Sequence, residues 1–144
     1  MEVAPFYEWG GKNADGTDGF AQHRPGWVGP IHQLLLQHHV AAVFHGHDHL
    51  YAKQNLDGFV YQEVAPPGDP NGSTRSAAEY GYTNGVILGS SGHLRMTVSP
   101  ETALVEYVSA RGASAAVRDR KAGTVAHSYM VRGTGDPPKG ERKP

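Results

Sequence analysis

The sequence predicts an α/β fold in which strands outnumber helices. Residues 25–40 (PGWVGPIHQLLLQHHV) repeat apolar side chains at helical spacing, and an apolar run over residues 40–44 follows directly. That order is typical of a helix leading into a buried strand. Beyond residue 85, apolar and polar residues alternate over several short stretches, as in strands with one covered face. We expect one main helix and about five or six strands.

The predicted helix has a defined start and one apolar face. Pro30 suits the first turn, with Gly29 as a permitted cap before it. The i, i+3, i+4, i+7 spacing of an apolar face is met by Ile31, Leu34, Leu35 and His38. We expect His38 and His39 to serve in packing or at the surface. Residues 2–26 show neither helical nor strand periodicity, which predicts an ordered loop held by aromatic side chains.

Turn signals divide the rest of the chain. Residues 55–58 (NLDG) predict a turn into a strand over residues 59–65, whose side chains alternate between two faces. Residues 66–85 predict a long surface excursion. Residues 85–91 predict one strand, residues 93–110 a hairpin with Pro100 in its turn, and residues 123–133 a last strand. We expect a single domain over residues 1–133 and a disordered tail over residues 134–144.

Composition excludes several classes of protein. The 144 residues fit one domain, and a net charge of -1 gives no electrostatic basis for binding nucleic acid or an anionic membrane. No apolar run approaches the ~18 residues of a membrane span, and the N-terminus as written has no export signal. With a mean hydropathy of -0.49, we expect a soluble protein. The absence of cysteine leaves imidazole and carboxylate as metal ligands, and the chain has nine histidines.

Three of those histidines stand at alternate positions. Residues 44–52 (FHGHDHLYA) place His45, His47 and His49 directly after the predicted buried strand. If the backbone stays extended through Gly46, all three imidazoles project to one side and can bind a metal ion that keeps an open position. If Gly46 bends the chain, His47 and His49 form a pair and His45 turns away, and glycine's freedom in φ favours this bend. The other interpretation is that one or two of them are ordinary core or surface histidines.

The pattern predicts metal binding through His47 and His49, with His45 as a third ligand. Zinc, manganese and iron all accept imidazole together with carboxylate, and one or two ions fit such a site. Two further histidines have other predicted roles. His127 alternates within a strand and is expected to be structural, whereas His93 follows a glycine-rich turn from which it can approach the site.

Residues 40–52, with the helix before them, resemble the last metal-binding motif of calcineurin-like metallophosphoesterases, the family that includes purple acid phosphatases. In that family a Gly-His-x-His motif follows a buried strand, and both histidines bind a two-metal centre. Gly46-His47-Asp48-His49 matches this motif, and Tyr51 is similar to the aromatic residue that often follows it. The strand at 85–91 and the hairpin after it resemble strands that close the family's second sheet. The resemblance implies half of a metallophosphoesterase-type β-sandwich and a metal-dependent hydrolase of phosphate esters.

The resemblance covers only the C-terminal half of that family's domain, so the domain over residues 1–133 is predicted to be truncated. The family's earlier Asp-x-His, Gly-Asp and Gly-Asn-His-Asp/Glu motifs do not precede the histidines, and the Gly-Asp pairs at 68–69 and 135–136 predict turns. His23 is the one candidate for the family's isolated metal histidine. The carboxylates available to complete or bridge a metal site are Glu8, Asp15, Asp18, Asp48 and Glu63. Asp48 is expected to orient an imidazole or to hold a turn.

These features predict hydrolysis of phosphate esters by a metal-activated water, with diesters slightly favoured over monoesters. His23 and Arg24 are the best candidates to contact the phosphate of a small-molecule substrate. Two alternatives stay open: a catalytically inactive fragment that folds and binds metal or a partner, and a rebuilt metal site that hydrolyses another ester class. Half a sandwich leaves one sheet face uncovered, which predicts a homo-oligomer, most simply a two-fold dimer.

Overall fold

Seven strands in two sheets and two short helices make up the described part of the chain. The computed structural model describes residues 6–69, 73–110 and 122–133. The β-rich α/β prediction is confirmed, with more strands than expected and with one short helix inside the predicted N-terminal loop. The helices are α1 (Phe20–His23) and α2 (Ile31–Gln37), and the strands are β1 (Ala42–His45), β2 (Leu50–Leu56), β3 (Phe59–Glu63), β4 (Val86–Gly89), β5 (Gly92–Val98), β6 (Thr102–Ser109) and β7 (Val125–Arg132).

The buried face of α2 differs from the predicted one. Leu35 and Leu36 pack against Phe59 and Tyr61, and His32 is buried beside them. Burial of this polar ring is possible because both of its nitrogens have partners: Nδ1 lies 2.7 Å from the Tyr61 hydroxyl, and Nε2 lies 3.0 Å from a carboxylate oxygen of Asp57. Leu35 of the predicted face packs as expected, but His38 is exposed at the end of the helix, so its place on that face was predicted wrongly.

The C-terminus of α2 ends in a Schellman motif without glycine. His39 takes the left-handed conformation with φ 56° and donates its backbone N–H to the carbonyl of Leu36. Val40 donates its N–H to the carbonyl of Leu35, and both side chains pack against the Phe59 cluster. This cap turns the chain from α2 directly into β1.

The first sheet has the strand order β1-β3-β2-β4. The predicted turn after residue 55 is confirmed as a two-residue hairpin in which Asp57 and Gly58 have φ 52° and 80°, as a type I′ turn requires. β1 runs parallel to β3, and His45 is the register partner of Glu63. The carboxyl ends of both strands therefore lie at one edge of the sheet.

Both faces of this first sheet are covered by the chain itself. One face packs Phe59 and Tyr61 against α2 and the N-terminal loop. On the other face, the ring of Tyr51 stacks on that of Tyr107 of β6, with centroids 4.4 Å apart. The strand predicted over residues 85–91 and the hairpin after it were expected to close one second sheet together, but β4 belongs to the first sheet and β5 and β6 to the second. In the second sheet, Met96, Val98 and Met130 are exposed, and the homo-oligomer stays a prediction.

The second sheet is an antiparallel meander in the order β5-β6-β7. The predicted hairpin is confirmed: Ser99 donates its backbone N–H to the carbonyl of Thr102, with Pro100 in the turn between β5 and β6. The predicted last strand is confirmed as β7, whose pairing with β6 shifts by one residue after Tyr107. Such a bulge bends a strand and increases its twist.

The segment between β3 and β4 is more than the predicted surface excursion. Ala77 and Tyr82 are buried against Leu50 and Ala52 of β2. The tail predicted over residues 134–144 lies outside the described residues. Within the described part of the chain, no helix has the length and apolar character needed to cross a bilayer.

Candidate functional site

The candidate site is the histidine loop, residues 45–49, which joins the end of β1 to the start of β2. The strand stops at His45, and His47 and His49 have φ 117° and 55°. Of the two backbone alternatives, the structure therefore has the bend, but the positive φ angles are those of the histidines rather than of Gly46. Non-glycine residues in such conformations cost about 1–3 kcal/mol each and are concentrated at functional sites.

Glu63 is a buried residue that contacts this loop at two positions. Its side chain is fully buried, and one carboxylate oxygen lies 2.5 Å from Nδ1 of His45. The other oxygen accepts the backbone N–H of Asp48 at 2.9 Å. One carboxylate thus holds both the first imidazole of the loop and its backbone. The parallel pairing of β1 with β3 brings these residues together, because it places Glu63 opposite His45.

Asp48 joins the loop to the segment that precedes β4. One of its carboxylate oxygens lies 3.0 Å from Nδ1 of His47, and the other accepts the Tyr82 hydroxyl at 2.6 Å. Burial raises the pKa of Asp48, but the hydrogen bonds from Tyr82 and His47 outweigh it, and the pKa lies below its ordinary value. Burial and the bond to Asp48 raise the pKa of Tyr82 well above its usual range, so its hydroxyl stays protonated. The predicted role of Asp48 in orienting an imidazole agrees with this geometry.

The remaining two imidazoles of the loop are open to solvent. The side chains of His47 and His49 are 93% and 71% exposed, against 29% for His45. Nδ1 of His49 lies 3.8 Å from a carboxylate oxygen of Asp69. Each of the three histidines therefore has Nδ1 beside a carboxylate, of Glu63, Asp48 and Asp69 respectively. Since an ionised carboxylate only accepts hydrogen bonds, Glu63 and Asp48 favour the proton on Nδ1 of His45 and His47 and leave their Nε2 atoms as ligand atoms. The distance from Asp69 to His49 is that of an ion pair and is too long for a hydrogen bond that would fix the tautomer of His49.

The donor set fits a transition metal chemically. Neutral imidazole nitrogen with carboxylate oxygen is the ligand set of zinc, manganese and iron sites, and ligating histidines in such sites donate their other nitrogen to a carboxylate. Within residues 6–69, 73–110 and 122–133, no three side chains of histidine, aspartate or glutamate converge closely enough to hold an ion as they stand. His45, His47 and His49 are the residues of this loop whose ring nitrogens could hold a metal.

The two predicted phosphate contacts lie in a different cluster. The ring of His23 stacks on Tyr7 at 4.2 Å, and the guanidinium of Arg24 lies over the rings of Tyr7 and Trp27 and pairs with Glu8. Two of the other candidate carboxylates also have local partners. Asp15 accepts the backbone N–H and hydroxyl of Thr17, and Asp18 pairs with Lys12.

The other predicted histidines are also accounted for. His127 lies between the sheets, with Nδ1 2.7 Å from the Tyr51 hydroxyl, in keeping with its predicted structural role. His93 is exposed at the start of β5, opposite Val108, in the second sheet.

Asp69 and Tyr82 were not predicted as members of the site, and Glu63 was not singled out among the candidate carboxylates. Asp69 was interpreted as part of a turn, and Tyr82 was not considered because it lies in the predicted surface excursion. Glu63 was one of five candidate carboxylates with no reason to prefer it. The alternation over residues 59–63 was the available signal, because it places Glu63 on the same face of the strand as Phe59 and Tyr61.

Comparison of the chain with protein-family models, with curated proteins and with solved structures finds no match.

Proposed function

We propose that the protein is a metal-dependent hydrolase of phosphate esters whose metal is held by His47 and His49, with His45 as third ligand. The observation that carries this proposal is the hydrogen-bond distance between Nδ1 and a carboxylate at His45 and at His47, which leaves their Nε2 atoms as ligand atoms. His49 lies in the same five-residue loop, with its Nδ1 3.8 Å from the carboxylate of Asp69. A bound zinc, manganese or iron ion would act as a Lewis acid and lower the pKa of a water molecule.

The motif supports the same proposal independently. Gly46-His47-Asp48-His49 follows β1, as the corresponding Gly-His-x-His motif follows a buried strand in calcineurin-like metallophosphoesterases. This resemblance is the reason for proposing phosphate esters, with diesters slightly favoured, and half of that family's sandwich as the fold. The two exposed imidazoles of His47 and His49 lie where a solvent-borne substrate can reach them.

The first test is the metal content of the purified protein. We expect the wild type to bind zinc, manganese or iron and the His47→Ala/His49→Ala double variant to lose most of it. The matched control is His93→Ala, which removes an exposed histidine of the second sheet and should leave metal content unchanged. Equal metal in the wild type and the double variant would refute the site.

Activity is tested separately with chromogenic phosphate mono-, di- and triesters. We expect hydrolysis that is lost with a chelator, restored by added metal and absent from the double variant. Metal binding without turnover of any ester would favour the alternative of a protein that binds metal but is not an enzyme. Turnover of carboxylic esters alone would favour a rebuilt site for another ester class.

A further inference from the structure

We infer that Tyr82 is a positioning residue for the histidine loop, acting through the carboxylates of Asp48 and Glu63. This inference rests on the proposed function in one respect, because the consequence of the positioning is metal affinity. Tyr82 comes from the segment between β3 and β4, far from the loop in sequence, and its side chain is buried. Its hydroxyl donates to Asp48 at 2.6 Å and lies 3.4 Å from an oxygen of Glu63.

The two carboxylates that Tyr82 reaches are the ones that orient two of the imidazoles. Asp48 accepts from Tyr82 on one oxygen and faces Nδ1 of His47 with the other. The Glu63 oxygen nearest the Tyr82 hydroxyl is the same oxygen that faces Nδ1 of His45. The Tyr82 hydroxyl therefore contacts one carboxylate that faces His47 and another that faces His45.

This role of the hydroxyl is separable from the packing of the ring. The ring of Tyr82 lies in the cluster of Leu50, Ala52 and Ala77, and phenylalanine would fill the same space. The hydroxyl stabilises two carboxylates that the loop brings near each other. Without it, Asp48 is free to turn away from His47, and the proton of that imidazole is no longer held on Nδ1.

The expected effect on metal affinity follows from the role of residues that hydrogen-bond to the ligating histidines. Partners that orient ligating histidines raise metal affinity because they hold the ring and its tautomer in the ligating state. Their removal costs roughly 10–100-fold in affinity. We therefore expect Tyr82→Phe to weaken Zn²⁺ binding by that factor, while Tyr80→Phe, an exposed tyrosine of the same segment, leaves it unchanged.

The experiment combines Zn²⁺ affinity with the tautomers of the imidazoles. Zn²⁺ affinity is measured by competition with a chromogenic chelator for wild type, Tyr82→Phe, Tyr80→Phe, Asp48→Asn and the Tyr82→Phe/Asp48→Asn double variant. The tautomers of His45 and His47 in the metal-free proteins are read from ¹⁵N imidazole shifts at a pH where the rings are neutral. We expect Nδ1–H tautomers in wild type and Tyr80→Phe, and loss of that preference at His47 in Tyr82→Phe.

The outcomes separate this inference from the proposed function. If wild type binds Zn²⁺, a Tyr82→Phe affinity within twofold of wild type overturns the inference and leaves the metal site standing. In the Asp48→Asn background, Tyr82→Phe should have less effect than in the wild type, because the shorter of the two contacts of the hydroxyl is the one to Asp48; full additivity also overturns the inference. If wild type binds no Zn²⁺, the proposed function fails, and the His47 tautomer alone decides whether Tyr82 positions the loop.

Discussion

Two polar clusters lie on opposite faces of β2 and β3. Both contain histidine and tyrosine, but the side chains that contact these residues differ. On the helix side of the first sheet, Glu63 and Asp48 bind His45, His47 and Tyr82. On the side of the second sheet, Gln62 accepts the hydroxyl of Tyr129 at 2.9 Å, and Tyr51 meets His127 at 2.7 Å. Glu63 and Gln62 are successive residues of β3, so the two clusters differ by one step along one strand.

The difference lies in what surrounds each histidine. Each imidazole of the loop has a carboxylate beside Nδ1, and those of His47 and His49 are open to solvent. His127 instead has a neutral hydroxyl as its partner and lies near the charge of Lys53. Burial lowers the pKa of His127, and the charge of Lys53 lowers it further. Burial raises the pKa of Tyr129 and of Tyr51, so both hydroxyls stay protonated. Carboxylates lie beside the imidazoles of the loop, whereas the inter-sheet cluster joins neutral hydroxyl, amide and imidazole groups between the two sheets.

The largest effect is expected from Glu63→Leu. This substitution leaves His45, the N–H of Asp48 and one contact of Tyr82 without their buried acceptor, which should lower the free energy of unfolding by about 3–5 kcal/mol. The matched comparison is Gln62→Leu, which removes a neutral, equally buried side chain and should cost about 1–3 kcal/mol. Urea unfolding monitored by circular dichroism measures both. A cost for Gln62→Leu equal to that of Glu63→Leu would contradict the distinction between the clusters.

A smaller decrease in the free energy of unfolding is expected from Tyr51→Phe. The ring still stacks on Tyr107, but Nδ1 of His127 loses its partner, which should cost about 1–2 kcal/mol. The cost should be less than additive with that of His127→Gln, because both variants remove the same hydrogen bond. A double-mutant cycle by urea unfolding gives the coupling. Strict additivity would mean that the hydroxyl and the imidazole do not stabilise each other.

The pH dependence of stability should also differ between the clusters. Because the folded-state pKa of His127 lies below its ordinary value of 6.5, the unfolded chain binds the proton more readily. This contribution to stability is complete above pH 6.5 and is lost as the pH falls toward the folded-state pKa. The pKa of Asp48 is also lowered, so its contribution is lost only as the pH falls through and below its ordinary value of 3.8.

The measurement is the melting temperature of wild type and His127→Gln at about pH 7.5 and about pH 5.5. Wild type should lose melting temperature between these values, and the variant should lose less. An equal loss in both proteins would show that His127 does not set the acid sensitivity in this range.

Features with local causes were predicted well from the sequence. The hairpin at Asp57 and Gly58 depends on two residues that tolerate positive φ, and the hairpin around Pro100 depends on its turn residues. The alternation of residues 59–63 and the helix near residue 31 also follow from patterns within a few positions. The histidines at alternate positions identified the loop itself.

Features that depend on distant residues were not predictable in the same way. The parallel pairing of β1 with β3 brings Glu63 to His45 across 18 positions of sequence. The buried face of α2 contains a histidine because Tyr61 and Asp57 supply partners for its ring, which no helical period indicates. Tyr82 lies in a stretch without periodicity, and it is fixed by packing against Leu50 and Ala52.

The sequence by itself determined the β-rich α/β class, two of the turns and the histidine loop, because turn chemistry and side-chain periodicity act between near neighbours. Tertiary structure alone decided how that loop is used. It bent the chain at His47 and His49 rather than at Gly46, and it brought a carboxylate to each imidazole. Hydrogen bonds and burial act through space, and the residues that supply them to the loop come from β3 and from the segment before β4.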